Sequence, residues 1–286
     1  MIPTKKLKNG FELPVYGLGL WQIGGRDQAD YSQDRCHIET IQKALEEGIT
    51  HLDTAESYGA GHAEELLGQA IQGYARQNLK IVSKVAAENQ YYSGVLAACE
   101  RSLKRLKTDY LDLYLLHHPG AAKDLPGTMR ALDELVSGGR VKHIGVCNLS
   151  PRFLRWLEAE SACPIVCNQV HYNVQIREVE HAKVLQDCEE HDRLLVAWRP
   201  LQKGALVNNP LLDEIAQKYG KTPAQVALNW LITQKNVVTV AKTSHHEHLI
   251  ENLGALSWSL DKEDHQRIQQ EFPGQQALSD AVPLYR

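Results

Sequence analysis

The sequence predicts an α/β protein: a single (β/α)8 TIM barrel over residues 1–286, with an N-terminal β-hairpin and extra helices near the C-terminus. Three observations carry this expectation. Short apolar, β-favouring runs alternate eight times with longer stretches whose apolar residues recur at three- and four-residue spacing. The short runs lack polar alternation, as expected of parallel strands covered on both faces. The length of 286 residues suits an α/β barrel built around one core. A doubly wound open sheet is the alternative.

The elements follow in order. Leu7-Lys8-Asn9-Gly10-Phe11-Glu12-Leu13 places Asn-Gly between short alternating segments, a hairpin pattern because both turn residues tolerate positive φ. A first strand contains Tyr16 to Trp21, and the helix after it carries Ile38, Ile41, Ala44 and Leu45 and stops at Gly48. Further strands are predicted over 51–54, 80–85, 111–116, 143–147, 166–170, 194–198 and 237–241. Helices are predicted over 63–72, 94–106, 126–137, 151–159, 178–190, 211–218, 223–234 and 246–253. The tail from Phe272 to Arg286 either folds over the barrel mouth or forms a disordered end.

Composition excludes several function classes. Lys and Arg number 31 against 35 Asp and Glu, a formal charge of −4, and no basic run is long enough to track a phosphate backbone. Nucleic acid is therefore not an expected partner. No apolar stretch approaches the ~20 residues of a membrane helix, and the N-terminus has no apolar segment behind its first lysines, so a cytoplasmic location is expected. The six cysteines lack C-x-x-C spacing and are expected to be free thiols rather than disulfides or zinc ligands.

In a barrel the loops after the strands converge on one mouth, so residues far apart in sequence can share a site. Asp53 lies inside the second strand and Tyr58 in the loop after it, Lys84 lies in the third, and His117 and His118 follow the fourth. A lysine in an apolar strand needs a partner, because an unpaired buried ammonium is very costly; Asp53 on the neighbouring strand is the obvious one. A phenol is a weak acid at neutral pH unless a cation lowers its pKa, so Lys84 is expected to lower that of Tyr58, with His117 hydrogen-bonding a substrate oxygen or relaying a proton. A purely structural Asp–Lys pair beside a core tyrosine is the alternative.

Asp53-Thr-Ala-x-x-Tyr58-Gly59, Ser83-Lys84 and Leu111-Asp-Leu-Tyr-Leu-Leu-His117 resemble the motifs of the aldo-keto reductases, of the prokaryotic type with a short C-terminal tail. The resemblance runs along nearly the whole chain, through Gly17-Leu-Gly-Leu-Trp21, Ile144-Gly-Val-Cys-Asn148, Asn168-Gln-Val170 and Thr222-Pro-Ala-Gln-Val-Ala-Leu228. It implies a barrel that reduces aldehydes and ketones, or oxidises the alcohols, with NADP(H) preferred and NAD(H) as the alternative. No G-x-G-x-x-G fingerprint is present, which fits a cofactor site outside a Rossmann domain. By motif, Tyr58 is the acid/base, Lys84 and Asp53 tune it, and His117 orients the carbonyl. The implied partner is a small carbonyl substrate, and the implied assembly a monomer or weak oligomer.

The cofactor positions implied are Cys147, Asn148 and Gln169 at the carboxamide, Trp198 stacked on nicotinamide, and Arg199, Leu201 and Gly204 along the pyrophosphate. Lys242, Thr243, Ser244 and His248 are implied at a ribose 2′-phosphate, and Glu251 and Asn252 near adenine. Cys147 stands where the family often has serine, Ala241 where proline is usual and His248 where arginine is frequent. Asn148 otherwise reads as a cap for the helix after Ser150, and Trp198 as rim packing. Trp21, Ala86 and His118 are the substrate-wall residues. His245, His246 and His248 read as a solvated helix start, without a carboxylate or cysteine to complete a metal set. Two rival functions use the same residues: a barrel aldolase with Lys84 as Schiff-base nucleophile, and a nicotinamide-nucleotide-binding barrel subunit without catalysis.

Overall fold

The computed structural model describes residues 2–119, 124–206, 208–243, 245–272 and 278–285. Ser244 therefore lies outside the described residues.

Strands β1 (Thr4–Lys6) and β2 (Glu12–Pro14) pair antiparallel, Lys6 opposite Glu12. Their turn differs from a two-residue Asn-Gly loop. Gly10 alone has positive φ, at 90°, its N–H donates to the Leu7 carbonyl, and Leu7 N–H donates to the Phe11 carbonyl. Asn9 instead uses its side-chain oxygen, which accepts the Phe11 N–H at 2.9 Å. The result is a three-residue loop with its left-handed residue last, a common hairpin solution.

The barrel comprises β3 (Tyr16–Gly19), β4 (His51–Asp53), β5 (Lys80–Val85), β6 (Leu111–Leu116), β7 (Val141–Cys147), β8 (Ile165–His171), β9 (Leu194–Trp198) and β10 (Val237–Ala241). Each pairs in parallel with the next, and β10 closes on β3 with Val240 opposite Gly17. Closure leaves no sheet edge. The approach of β3 to β4 requires Gly17, since a Cβ there would lie 2.6 Å from the His51 ring. Inside, Val82, Leu113, Val166, Leu194 and Val238 pack with Leu7, Phe11 and Leu13, so the hairpin fills the N-terminal end of the barrel. The opposite end, where the strands finish, stays open.

The outer layer holds α1 (Asp34–Glu46), α2 (His62–Ala70), α3 (Tyr92–Leu106), α4 (Leu125–Ser137), α5 (Pro151–Glu158), α6 (Glu178–His181), α7 (Val184–Glu190), α8 (Pro210–Tyr219), α9 (Pro223–Ile232), α10 (His246–Leu253) and α11 (Lys262–Glu271). The helix expected over 178–190 is two, because Lys183 adopts left-handed φ of 60° and interrupts the hydrogen-bond ladder. The apolar spacing survives the break, with Val179, Val184 and Cys188 all buried in one cluster. Several helix starts are set by sequence: Asp124, Ser150, Asn209 and Asp261 accept N–H groups of the following turn, and Thr222 with Gln225 forms a full capping box. Among the described residues no helix is long and apolar enough to cross a membrane.

Candidate active site

The strand ends open into a cavity of about 930 Å³. At its base Lys84 is fully buried on β5, and its ammonium donates to Asp53 Oδ1 at 2.5 Å, to the Thr54 carbonyl at 2.8 Å and to the Tyr58 hydroxyl at 3.2 Å. Asp53 is held on its other oxygen by Gln169 Nε2 at 2.7 Å. His117 faces Tyr58 edge-on, ring centroids 5.6 Å apart, and its Nδ1 lies 3.3 Å from the Ser57 hydroxyl. With Ser57 donating, the proton of a neutral His117 sits on Nε2. The four residues singled out in the sequence thus meet at one point, and Tyr58 and His117 line the cavity while Lys84 stays behind them.

Their electrostatics differ from expectation in one respect. Burial raises the Tyr58 pKa and Lys84 lowers it, and burial wins, so the phenol sits above its ordinary value. Lys84 follows the opposite logic: burial disfavours its charge, but Asp53 and then Tyr58 outweigh that and hold it above the usual lysine range. His117 is pushed well below its usual value by burial and by Lys84. The site therefore holds a protonated phenol, an ammonium and a neutral imidazole side by side.

The remaining expected positions divide by contact. Asn148 takes left-handed φ of 59° and accepts the Trp198 indole N–H at 3.2 Å. It is not the helix cap, because Ser150 fills that role for α5. Cys147 is buried beside Asn148, and burial pushes its thiol up to about 12, so it stays a neutral thiol. Trp198 presents itself to the cavity with its ring stacked on His171, 4.2 Å and 17° apart. Arg199 pairs with Asp280 of the tail at 3.4 Å. Leu201, Gly204, Lys242, Thr243, His248, Glu251 and Asn252 all line the same cavity; Asn252 also donates to the Tyr16 hydroxyl at 3.1 Å. Burial lowers the Lys242 pKa. Trp21, Ala86 and His118 also line the cavity, and His118 stacks on His117 at 4.3 Å.

Comparison with known proteins agrees with this geometry. The aldo/keto reductase family model matches residues 16–271. The chain belongs to that family. It is 38% identical over 268 residues to the glyoxal reductase of Bacillus subtilis, covering 93% of this chain and 91% of that protein. It is 32% identical over 267 residues to a methylglyoxal reductase of Escherichia coli, covering 91% and 92%. Among solved structures, a thermostable aldo-keto reductase in complex with the inhibitor epalrestat superposes with a TM-score of 0.90 at 41% identity, covering 93% of this chain and 98% of that one. An aldo-keto reductase from Klebsiella pneumoniae in complex with NADPH gives 0.85 at 31%, covering 96% of each.

At and beside the cavity of this aldo-keto reductase lie further residues that sequence reasoning missed. Ser57 lies inside the Asp53–Gly59 motif but carries no spacing cue. Glu56, nearly buried, accepts the Ala86 N–H at 2.8 Å and the Asn89 side chain at 2.9 Å, and so holds the wall after β5. Arg26 and Lys203 place cations 6.0 and 5.9 Å from the Trp21 ring. Ala281 and Val282 bring the tail to the cavity, and residues 278–285 are anchored by Tyr285, whose N–H donates to the Asn148 carbonyl at 2.7 Å. Only pairing across the fold reveals these contacts; the tail has no periodicity to read.

Proposed function

We propose that this reductase converts small aldehydes and ketones, α-oxoaldehydes foremost, to alcohols with NADPH, using Tyr58 as proton donor. The observation that carries the reading is the Lys84 ammonium shared between Asp53 and the Tyr58 hydroxyl at the base of the cavity.

The residues fit a nicotinamide cofactor by their donor sets. With Nε2 committed to Asp53, Gln169 has its carbonyl oxygen to accept with; with Oδ1 committed to Trp198, Asn148 has its amide N–H groups to donate. A carboxamide needs one of each. Lys242 and Thr243 before α10 and His248 in its first turn supply cationic and hydroxyl groups for a 2′-phosphate. When bound, the reduced nicotinamide supplies the hydride.

The chain's own contribution is proton and orientation. Neutral His117 donates from Nε2 to the substrate carbonyl oxygen and brings it beside the Tyr58 hydroxyl. Tyr58 gives its proton to that oxygen as negative charge develops there. Lys84, held ionised by Asp53, then stabilises the phenolate left behind. The same pairing opposes the aldolase alternative: an ammonium held above its usual pKa is a poor Schiff-base nucleophile. Ala86 and His118 make their part of the cavity smaller and more polar than aromatic residues would, and the similarity to glyoxal and methylglyoxal reductases supports the α-oxoaldehyde class.

The test is a panel of aldehydes, ketones, oxoacids and sugars followed at the nicotinamide absorbance with NADPH and NADH separately. Highest kcat/KM on α-oxoaldehydes with NADPH is the expected result. Cofactor binding without turnover on any carbonyl would leave the non-catalytic subunit as the better reading.

A further inference from the structure

His171 ends β8, is buried, and lies outside the tetrad. Its ring stacks nearly parallel to the Trp198 indole, 4.2 Å between centroids. Both ring nitrogens are engaged: Nε2 lies 3.0 Å from the side-chain oxygen of Gln202 and 3.3 Å from the Asn173 amide nitrogen, which itself donates to that Gln202 oxygen at 3.2 Å, and Nδ1 lies 2.9 Å from the hydroxyl of Ser279. Gln202 Oε1 can only accept, so Nε2 carries the proton and Nδ1 accepts from Ser279. Ser279 in turn accepts the backbone N–H groups of Ala281 and Val282 at 3.3 and 3.1 Å, which fixes the two tail residues that line the cavity. Burial lowers the His171 pKa to about 4, so this one-donor, one-acceptor pattern persists at neutral pH.

Trp198 is therefore held from two sides by the C-terminal segment. One path runs from Ser279 through His171 to the face of the indole. The other runs from Tyr285 N–H to the Asn148 carbonyl, and from Asn148 Oδ1 to the indole N–H. An indole with its edge and one face fixed keeps a defined plane toward the cavity.

We propose that His171 is a positioning residue that sets the plane of Trp198 as the wall for the nicotinamide ring, and that the C-terminal segment acts through it on cofactor binding. The proposal rests on the cofactor reading given above. It assigns the tail a role in cofactor affinity, where a segment over the mouth would otherwise be expected to act on substrate alone. Truncating His171 frees one face of the indole; an aromatic replacement retains the stack and loses the polar links to Ser279, Gln202 and Asn173.

The experiment measures NADPH affinity without carbonyl substrate, by nicotinamide fluorescence, in His171→Ala, His171→Phe, Ser279→Ala, Trp198→Leu and the His171→Ala/Ser279→Ala pair, with near-ultraviolet circular dichroism reporting the fold of each. The expected result is a Kd about tenfold weaker in His171→Ala, recovery to within about threefold in His171→Phe, and weaker binding in Ser279→Ala that does not add to that of His171→Ala. The carbonyl KM should move less than the cofactor Kd. Wild-type affinity in a folded His171→Ala, no recovery by phenylalanine, or full additivity in the double variant would each overturn the coupling. Trp198→Leu separates the two readings: unchanged NADPH affinity there would remove Trp198 from the cofactor site itself, whereas weakened affinity there with wild-type affinity in His171→Ala overturns only the role of His171.

Discussion

Acid should destabilise this fold steeply below pH 6.5, through buried neutral histidines. His51 and His171 are both lowered to about 4, in each case chiefly by burial. A histidine whose folded pKa is depressed binds its proton in the unfolded chain first, so stability falls as pH drops from about 6.5 toward 4. At pH 5 the unfolded imidazole is almost fully protonated and the folded one is not, which costs about 2 kcal/mol per residue, or about 4 kcal/mol for the two. His117, lowered further, acts in the same direction. Buried Glu64 acts in the opposite one, since burial raises its carboxyl despite Arg105. His62 is raised by Glu65 and Asp34 against the opposing effect of burial, so its contribution is complete below pH 6.5 and disappears only as pH rises through its folded pKa. Against a total stability of about 5–15 kcal/mol this is a large fraction. The assay is the urea midpoint at constant temperature from pH 7.5 to 5, expected to fall by on the order of 1 M. His171→Phe should remove about half of the two-histidine contribution to the drop. A midpoint flat to pH 5, or a slope unchanged by His171→Phe, would refute the assignment of neutral buried imidazoles.

Three further outcomes test the site. Tyr58→Phe should lower kcat/KM by about 10²–10⁴-fold while NADPH affinity, measured separately by fluorescence, stays within about twofold, since only the transition state uses the proton. Lys84→Met should be as slow and also less stable by about 3–5 kcal/mol, because it removes one partner of a buried ion pair and leaves Asp53 to the Gln169 amide; equal thermal midpoints for Lys84→Met and wild type would argue that this pair does not stabilise the fold. His248→Arg should raise the NADPH-to-NADH ratio of kcat/KM by about tenfold if the start of α10 receives the 2′-phosphate, since a fixed charge with a two-pronged donor replaces an imidazole; an unchanged ratio would place that phosphate elsewhere.

The barrel was legible because its strands announce themselves twice, by apolar runs and by their alternation with helical spacing. The cavity was legible for the same reason: Asp53, Lys84, His117, Gln169 and Trp198 are strand-end residues, so strand boundaries place them at one mouth before any contact is known. What resisted reading depends on contacts between segments distant in sequence. Nothing near Lys183 marks a helix break, since the apolar spacing runs through it. Nothing around Ser279 connects it to His171, 108 residues earlier. Arg199 was expected to face a pyrophosphate, and it pairs here with Asp280 of the tail, a contact that nothing near Arg199 in sequence announces.

The balance of charge around Tyr58 is the least legible feature and the most consequential. Sequence reasoning asks Lys84 to acidify the phenol, whereas burial leaves the phenol weaker as an acid than in water. The two statements describe different moments. A proton donor must hold its proton until the carbonyl oxygen becomes basic, and a raised pKa keeps Tyr58 protonated across the neutral range. In the proposed reaction the pull of Lys84 is felt by the phenolate, which exists only once the proton has left, so its stabilisation is concentrated in the transition state and not spent on the resting site. Asp53 completes the logic by keeping that ammonium charged in a place where burial alone would neutralise it. Removing the Asp53 carboxylate should therefore weaken the proton donor Tyr58, which it reaches through Lys84 in the hydrogen-bond chain.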